Sequence, residues 1–418
     1  MSAAALRQTS STPEQGDPAP AVFDTSVAEH GVDLATALRT IASKHGKTYQ
    51  RLLVDLAKTS FGQGRLSYDE YIGLRLFDEA WLAGADPSEF VGLDAERRIW
   101  MTANSNSEWW GLMRNKLAVT TLLGGYGFPV IPTLALYSDS MHMRNVPVMR
   151  APDDLARYLR GSCDYPLFGK PMDSQRSLGS IGLDAYEPWS DSLVAAEGRK
   201  FPVGDFVAAV AEHYKAGYIL QRRISPHPEV RAIAGDRLAT VRVITILTDA
   251  GPELLRALWK IPAGRNLADN FWRAGNLLAT IDLATGRVLR VVRGSGLAVE
   301  EVTHHPDTGA ELVGIEVPGW REIVRLALEA ASTLSEVRLI GWDMAAAETG
   351  ALIVEPNFTP DFFMTQLADR RGMLDQRFNT FLASCRAAAR QAKRKRRTGQ
   401  TIEAQERLRR LGRDVTGG

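Results

Sequence analysis

The first third of the chain carries its apolar residues on a helical period. After Val32, the residues Leu34, Leu38 and Ile41 fall on one face, which predicts amphipathic helices over a stretch reaching about Leu82. Ser67, with Glu70 three positions on and Tyr71-Ile72 behind it, is a capping box. Its hydroxyl and carboxylate suit the free amides of a helix start. A further helix is expected from about Ser107 to Leu123, ended by Gly124-Gly125. The texture changes at Phe128. The run Phe-Pro-Val-Ile-Pro-Thr-Leu-Ala-Leu-Tyr reads as a turn into a strand, and Tyr165 to Lys170 is a short apolar run stopped by Pro171. A polar loop with Gly179 leads to a strand from Ile181 to Tyr186. Residues 203–215 suit a helix and 217–221 a strand. From Val230 to Val292 β-branched runs take over: Thr240 to Leu247, Leu254 to Ile261 and Leu277 to Leu283. A helix from about Trp320 to Leu334 precedes a strand from Val337 to Met344. That strand pairs as a hairpin with Ala351 to Val354 across Glu348-Thr-Gly350. From Leu374 the pattern is helical again and ends in the basic run Lys393-Arg-Lys-Arg-Arg397.

Helices, then mixed elements, then a mostly antiparallel sheet point to an α+β protein of several subdomains. The expected divisions are a disordered leader (1–25), a helical N-terminal region (26–125), a small α+β subdomain (126–225), a larger strand-rich one (226–375) and a C-terminal helix with a basic tail (376–418). A length of 418 residues supports a real core without staples. Lys+Arg total 50 against 49 Asp+Glu, a net charge of +1, which argues against a dedicated nucleic-acid binder. Hydrophobic residues at 45% argue against a disordered chain. Two distant cysteines, Cys163 and Cys385, make a disulfide framework or a structural zinc site a poor reading and fit a reducing cytosol. No apolar window is long enough for a membrane span, and the first residues lack the apolar core of a secretory signal.

Five patches carry candidate chemistry. Asp343, in Gly341-Trp-Asp343, faces the hairpin partner strand that holds Glu355 and Asn357. Those two are two positions apart and so leave one face. Three hard oxygen-bearing side chains suit Mg²⁺; the alternative is a surface hairpin with exposed carboxylates. Lys170 ends an apolar run and is followed by a loop of small polar residues, Ser174, Ser177 and Gly179 among them. Such a loop can close over phosphates, or be an ordinary surface hairpin. Lys116, ahead of Gly127-Phe-Pro-Val-Ile-Pro132, reads alone as a solvated helix lysine. Gln221, before Arg222-Arg223 and with Glu229 beyond, ends a strand that can offer groups to an adenine ring, or is a plain strand edge. Asn270, in Asp269-Asn-Phe271, belongs to a polar loop.

Taken in order, these patches resemble the ATP-grasp superfamily. More narrowly, Ser225-Pro-His-Pro228, Thr240-Val-Arg-Val-Ile-Thr245, Asp269-Asn-Phe271, His305-Pro-Asp-Thr-Gly309, Gly341-Trp-Asp343 and Glu355-Pro-Asn357 look like the sugar-transfer-associated ATP-grasp proteins and their α-L-glutamate-ligase-like relatives. The resemblance covers about residues 105 to 370. It implies an ATP-grasp fold, two α+β subdomains gripping ATP, behind a helical N-terminal region. It also implies a cytoplasmic ligase that joins a carboxylate to an amine through an acyl-phosphate, releases ADP and phosphate, and serves polysaccharide or natural-product synthesis. On this reading Lys116, Lys170, Ser174, Ser177 and Gly179 hold ATP phosphates, Gln221 and Glu229 take adenine and ribose, and Asp343, Glu355 and Asn357 bind Mg²⁺. Arg242 stabilises the acyl-phosphate, and Asn270 places the γ-phosphate or the acceptor. The partners implied are ATP, a small carboxylate and an amine, with a homodimer contact offered by the helical N-terminal region. A kinase acting on a hydroxyl and a non-catalytic nucleotide binder are the alternatives. Two departures stand out: Asn276 where relatives more often have glycine, and Gln175-Arg176 in the small-residue loop.

Overall fold

The computed structural model describes residues 22–23, 33–173, 178–264, 266 and 269–394. The N-terminal pattern folds as its caps dictate. Asp33 accepts from the Thr36 amide at 2.8 Å to start the helix Leu34–His45, whose Ala37, Leu38 and Ile41 are buried. Ser67 and Glu70 form the expected reciprocal box at the helix Tyr68–Gly73. The helix expected from Ser107 to Leu123 is instead broken. A turn at Ser107–Trp109 and a short helix Trp110–Arg114 come first, and Asn115 then leaves the helical conformation to cap a new helix, Lys116–Gly125, through the Ala118 amide at 3.0 Å. An asparagine prefers this end position because its side chain competes for backbone amides.

Among the described residues, fourteen strands form two seven-stranded sheets. The first holds β1 (Thr133–Tyr137), β2 (Val148–Met149), β3 (Leu167–Pro171), β4 (Ile181–Glu187), β5 (Ser192–Ala195), β6 (Lys200–Pro202) and β7 (Tyr218–Arg222), in the order β2-β1-β7-β3-β4-β5-β6. All of its neighbours run antiparallel except β1 and β2. The helices Pro152–Gly161 and Val203–His213 cover one face, with Leu155, Leu159, Phe206 and Val210 fully buried against it.

The second sheet holds β8 (Thr240–Thr248), β9 (Gly251–Ile261), β10 (Leu277–Ile281), β11 (Val288–Arg293), β12 (Glu300–Glu301), β13 (Leu339–Ala347) and β14 (Gly350–Asn357), ordered β12-β11-β10-β9-β8-β13-β14 and antiparallel throughout. Side chains alternate across it. One face, with Val241, Trp259 and Trp342, packs on the helix Trp320–Thr333. The other is divided. Leu258, Leu278 and Val292 meet the N-terminal helices through Tyr71, Phe77 and Phe90, and the rest of that face is polar. The first sheet joins this polar end through bridges from Val130 to Ile353 and from Pro226 to Ala347, which opens a cleft between the sheets.

Candidate active site

Register builds the centre of the cleft. Asp343 on β13 lies directly opposite Arg242 on β8 and Glu355 on β14, and residues opposite one another share a face. Arg242 donates to both Asp343 oxygens, Nε at 2.7 Å and Nη2 at 3.1 Å, and its Nη1 donates to the Pro360 carbonyl at 2.7 Å. Lys260, on the same face of β9, places Nζ 3.1 Å from Asp343 and 3.6 Å from Asp269. Asp269 in turn accepts from the Thr240 amide at 2.6 Å and from its hydroxyl. All four charged groups are shielded from solvent. Burial alone would raise the Asp343 carboxyl, but Arg242 and Lys260 outweigh it and hold the group well below the usual carboxylate range. Burial pushes Asp269 upward, with Lys260 opposing.

Two lysines reach this cluster from outside the second sheet. Lys116, the first residue of its helix, lies 3.7 Å from Glu355 Oε2. Lys170 projects from β3. Its burial lowers its affinity for a proton, with Glu355 opposing. Glu355 is lowered because Lys116 and Lys170 overcome its own burial. Asn357 donates Nδ2 to Asp343 Oδ2 at 3.4 Å, which turns its Oδ1 away from that carboxylate.

These groups line a cavity of about 640 Å³. Beside the charges, Ile131, Phe168, Ile224, Leu238 and Val354 make an apolar slot between the sheets. Gln221 closes it. Its Nε2 donates to the Ile131 carbonyl at 3.0 Å, and its buried Oε1 has no protein partner. A buried acceptor left open costs stability unless something fills it. An apolar slot that ends on such an acceptor fits a purine ring with an amino group. The cations beside it fit phosphates.

The cavity gathers eight of the residues singled out from sequence: Lys116, Lys170, Gln221, Arg242, Asn270, Asp343, Glu355 and Asn357. Ser174 and Ser177 lie outside the described residues. Gly179 is described but does not line the cavity. It has φ of 74°, and its carbonyl accepts from the Tyr218 hydroxyl at 2.9 Å. Glu229 sits exposed in the first turn of the helix Pro228–Ala234, outside the lining. The sequence reading missed Lys260, Glu96, Asp361 and Trp272, which also line the cavity. Lys260 had a signal, as a cation directly behind the apolar run Ala257-Leu-Trp259 of β9. Asn276, noted as a departure, is a staple. It accepts from the Ala263 amide at 2.9 Å and donates to the Asn270 carbonyl at 2.7 Å, fixing the loop that bears Asn270.

Residues 207–381 match the family described as sugar-transfer associated ATP-grasp. That segment is thus similar to ATP-grasp domains of this type. The match takes in Gln221, Arg242, Lys260, Asp343, Glu355 and Asn357 but neither Lys116 nor Lys170. No curated protein matches the chain. Among solved structures, it is similar to D-alanine–D-alanine ligase from Bacillus anthracis, at 11% identity over 68% of this chain and 70% of that one, with a TM-score of 0.36. It is also similar to N5-carboxyaminoimidazole synthase from Aspergillus clavatus (12% identity, 65% and 51% covered, TM-score 0.32) and to L-amino acid ligase from Bacillus licheniformis (13%, 69% and 53%, TM-score 0.32). The chain thus spans little more than half the length of the last two. Likenesses of this size say nothing about a substrate. Among the described residues, no helix is long and apolar enough to cross a membrane.

Proposed function

We propose that this ATP-grasp chain is a magnesium-dependent, ADP-forming carboxylate–amine ligase of the reducing cytosol. One observation carries the reading. Four cations from three parts of the fold, Lys116, Lys170, Arg242 and Lys260, converge around Asp343 and Glu355 at the mouth of the apolar slot. The slot takes adenine, with Gln221 Oε1 accepting from its amino group. Lys116 and Lys170 then face the phosphates. Glu355 and Asn357 Oδ1 are the oxygens best placed to hold Mg²⁺, a hard cation that binds few protein groups and completes its shell with phosphate and water. The ion, when bound, neutralises phosphate charge. Asp343 already has both oxygens engaged by Arg242, so its part is to orient that guanidinium as much as to meet an ion.

The carboxylate substrate attacks the γ-phosphorus and ADP leaves. The amine then attacks the acyl carbon, phosphate leaves, and a proton is lost from nitrogen. Negative charge builds on the phosphoryl and then on the acyl oxygen, beside Arg242 and Lys260. Donors fixed in place by their own ion pairs need little reorganisation to stabilise it. Asn270 projects into the same cavity, where it can contact the acceptor.

The test is thermal unfolding with Mg²⁺ and ATP, followed by a screen of carboxylates and amines for ADP release. A magnesium-dependent rise in wild type that Glu355→Ala weakens is expected, with turnover lost in Glu355→Ala and Asn357→Ala. Amide and free phosphate appearing together would separate this reading from a kinase. A folded wild type that responds to no nucleotide would overturn it.

A further inference from the structure

The helical N-terminal region lies wholly outside the span 207–381, yet it grips the turn that follows the ligand-bearing strand β14. Three buried side chains make the grip. Gln366 exchanges two hydrogen bonds with Val91, donating to its carbonyl at 2.8 Å and accepting from its amide at 2.7 Å. Asn104 accepts from the Leu339 amide at 2.9 Å and donates to the Leu339 carbonyl at 2.9 Å and the Phe358 carbonyl at 3.4 Å. Between them stands Glu96, on the helix Leu93–Ala103. Its Oε1 accepts from the Asp361 amide at 2.9 Å and its Oε2 from the Phe362 amide at 3.2 Å.

The turn they hold is strained and close to the chemistry. Asp361 has φ of 60°, a left-handed conformation that a non-glycine residue keeps only when its surroundings impose it. Pro360 presses on Gly341 so closely that a Cβ there would lie 2.9 Å from Pro360 Cα. Its carbonyl receives Arg242 Nη1, the same guanidinium that clasps Asp343. Contacts therefore run without a break from Glu96 through the Asp361 and Phe362 amides and the Pro360 carbonyl to Arg242.

We infer that Glu96 is a positioning residue, which aims the Arg242–Asp343 pair at the phosphate end of the cavity by fixing the turn 358–362. A carboxyl is an expensive way to fill an apolar helix face. Burial, together with Asp361 nearby, pushes Glu96 up to about 8. Glycine or an aliphatic side chain would avoid that cost but offer no acceptor to two adjacent amides. The N-terminal helices are on this view part of the catalytic unit.

The inference rests on the nucleotide reading above, so its test has two independent parts. The variants are Glu96→Gln, which keeps one good acceptor, and Glu96→Ala, which keeps none. Hydrogen exchange reads the turn without any ligand. The Asp361 and Phe362 amides should exchange at least about tenfold faster in Glu96→Ala, with Glu96→Gln between it and wild type. Binding is then compared for adenosine, which reads the apolar slot, and for ATP with Mg²⁺, which reads the charged end. Positioning predicts adenosine binding within about twofold of wild type and ATP–Mg²⁺ binding weakened about tenfold in Glu96→Ala, partly restored in Glu96→Gln. A freed turn with unchanged ATP–Mg²⁺ binding overturns the inference, as does an equal loss for both ligands. Unchanged exchange in both variants overturns the clamp itself, whatever the nucleotide results. A wild type that binds neither ligand refutes the nucleotide reading and is recognised as such before any variant is compared.

Discussion

The two sheets treat buried charge in opposite ways. At the centre of the second sheet, the buried charges pair within the sheet and its loops: Arg242 and Lys260 with Asp343, and Lys260 again with Asp269. On the first sheet, Lys170 is buried and makes no ion pair with another described residue, and Gln221 leaves an acceptor open. Away from the cleft the same sheet packs on aromatic rings, edge to face in the pairs Phe23–Tyr214 and Phe206–Tyr218. Lys170 and Gln221 both line the cleft. A pre-paired network is rigid and belongs to the fold. Unpaired buried groups cost stability until a ligand arrives. The comparison predicts that substitutions on the two sheets differ in kind: one set breaks the protein, the other breaks only binding.

The largest effect is expected on the second sheet. Arg242→Ala leaves Asp343 buried with Lys260 as its remaining cation and should cost about 3–5 kcal/mol of stability, read by urea unfolding. The double variant Arg242→Met with Asp343→Leu removes both charges and should recover most of that loss. Single and double variants of equal stability would mean that the pair is not what the sheet is built around.

Lys170→Met is the contrasting case. A buried ammonium is replaced by an apolar side chain of similar length, so the unliganded protein should hold or gain stability. The response to ATP and Mg²⁺ should disappear; for a ligand at about a hundred times its dissociation constant, that is a loss of roughly 2.7 kcal/mol. The pH dependence gives a second check. Because the folded protein holds the Lys170 proton less tightly than the unfolded chain does, the native state loses stability as pH falls from the ordinary lysine range through the lowered folded value. Lys170→Met should remove that part of the slope. A destabilised variant with an intact nucleotide response would reverse the assignment.

How much of this was legible in sequence follows from the range of each signal. Asp343, Glu355 and Asn357 were readable because strand period and a short hairpin fix their face within fifteen residues. The first capping box was readable for the same reason. The break at Asn115 was not, since helical periodicity continues across it and only the cap geometry separates the two helices. Glu96 left a trace, a carboxylate on the same helix face as the buried Ile99, Trp100 and Ala103, but its partners lie 265 and 266 positions away. Lys260 and Asp269 meet Asp343 only through the order of strands β9-β8-β13, which no local pattern contains. Glu229 shows the reverse failure. It is near Gln221 in sequence, but the helix beginning at Pro228 turns it into solvent.

The smallest effect sharpens the comparison most. Gln221→Met keeps the bulk of the side chain at the end of the slot. It removes the open Oε1 acceptor, which should help the unliganded protein, and also the Nε2 bond to the Ile131 carbonyl, which should harm it. The two changes oppose each other, so stability should move by no more than about 1 kcal/mol. Nucleotide choice should move more. An acceptor at that position favours a ring that presents an amino group and disfavours one that presents a carbonyl. Losing one hydrogen bond of about 0.5–1.5 kcal/mol should narrow the preference for ATP over GTP by roughly two- to tenfold. Competition binding of the two nucleotides to wild type and Gln221→Met measures this directly. If the preference is unchanged, the base is read elsewhere, and the open acceptor on the first sheet would then have no ligand to justify it. That outcome would leave Lys170 as the first sheet's sole argument for a waiting site.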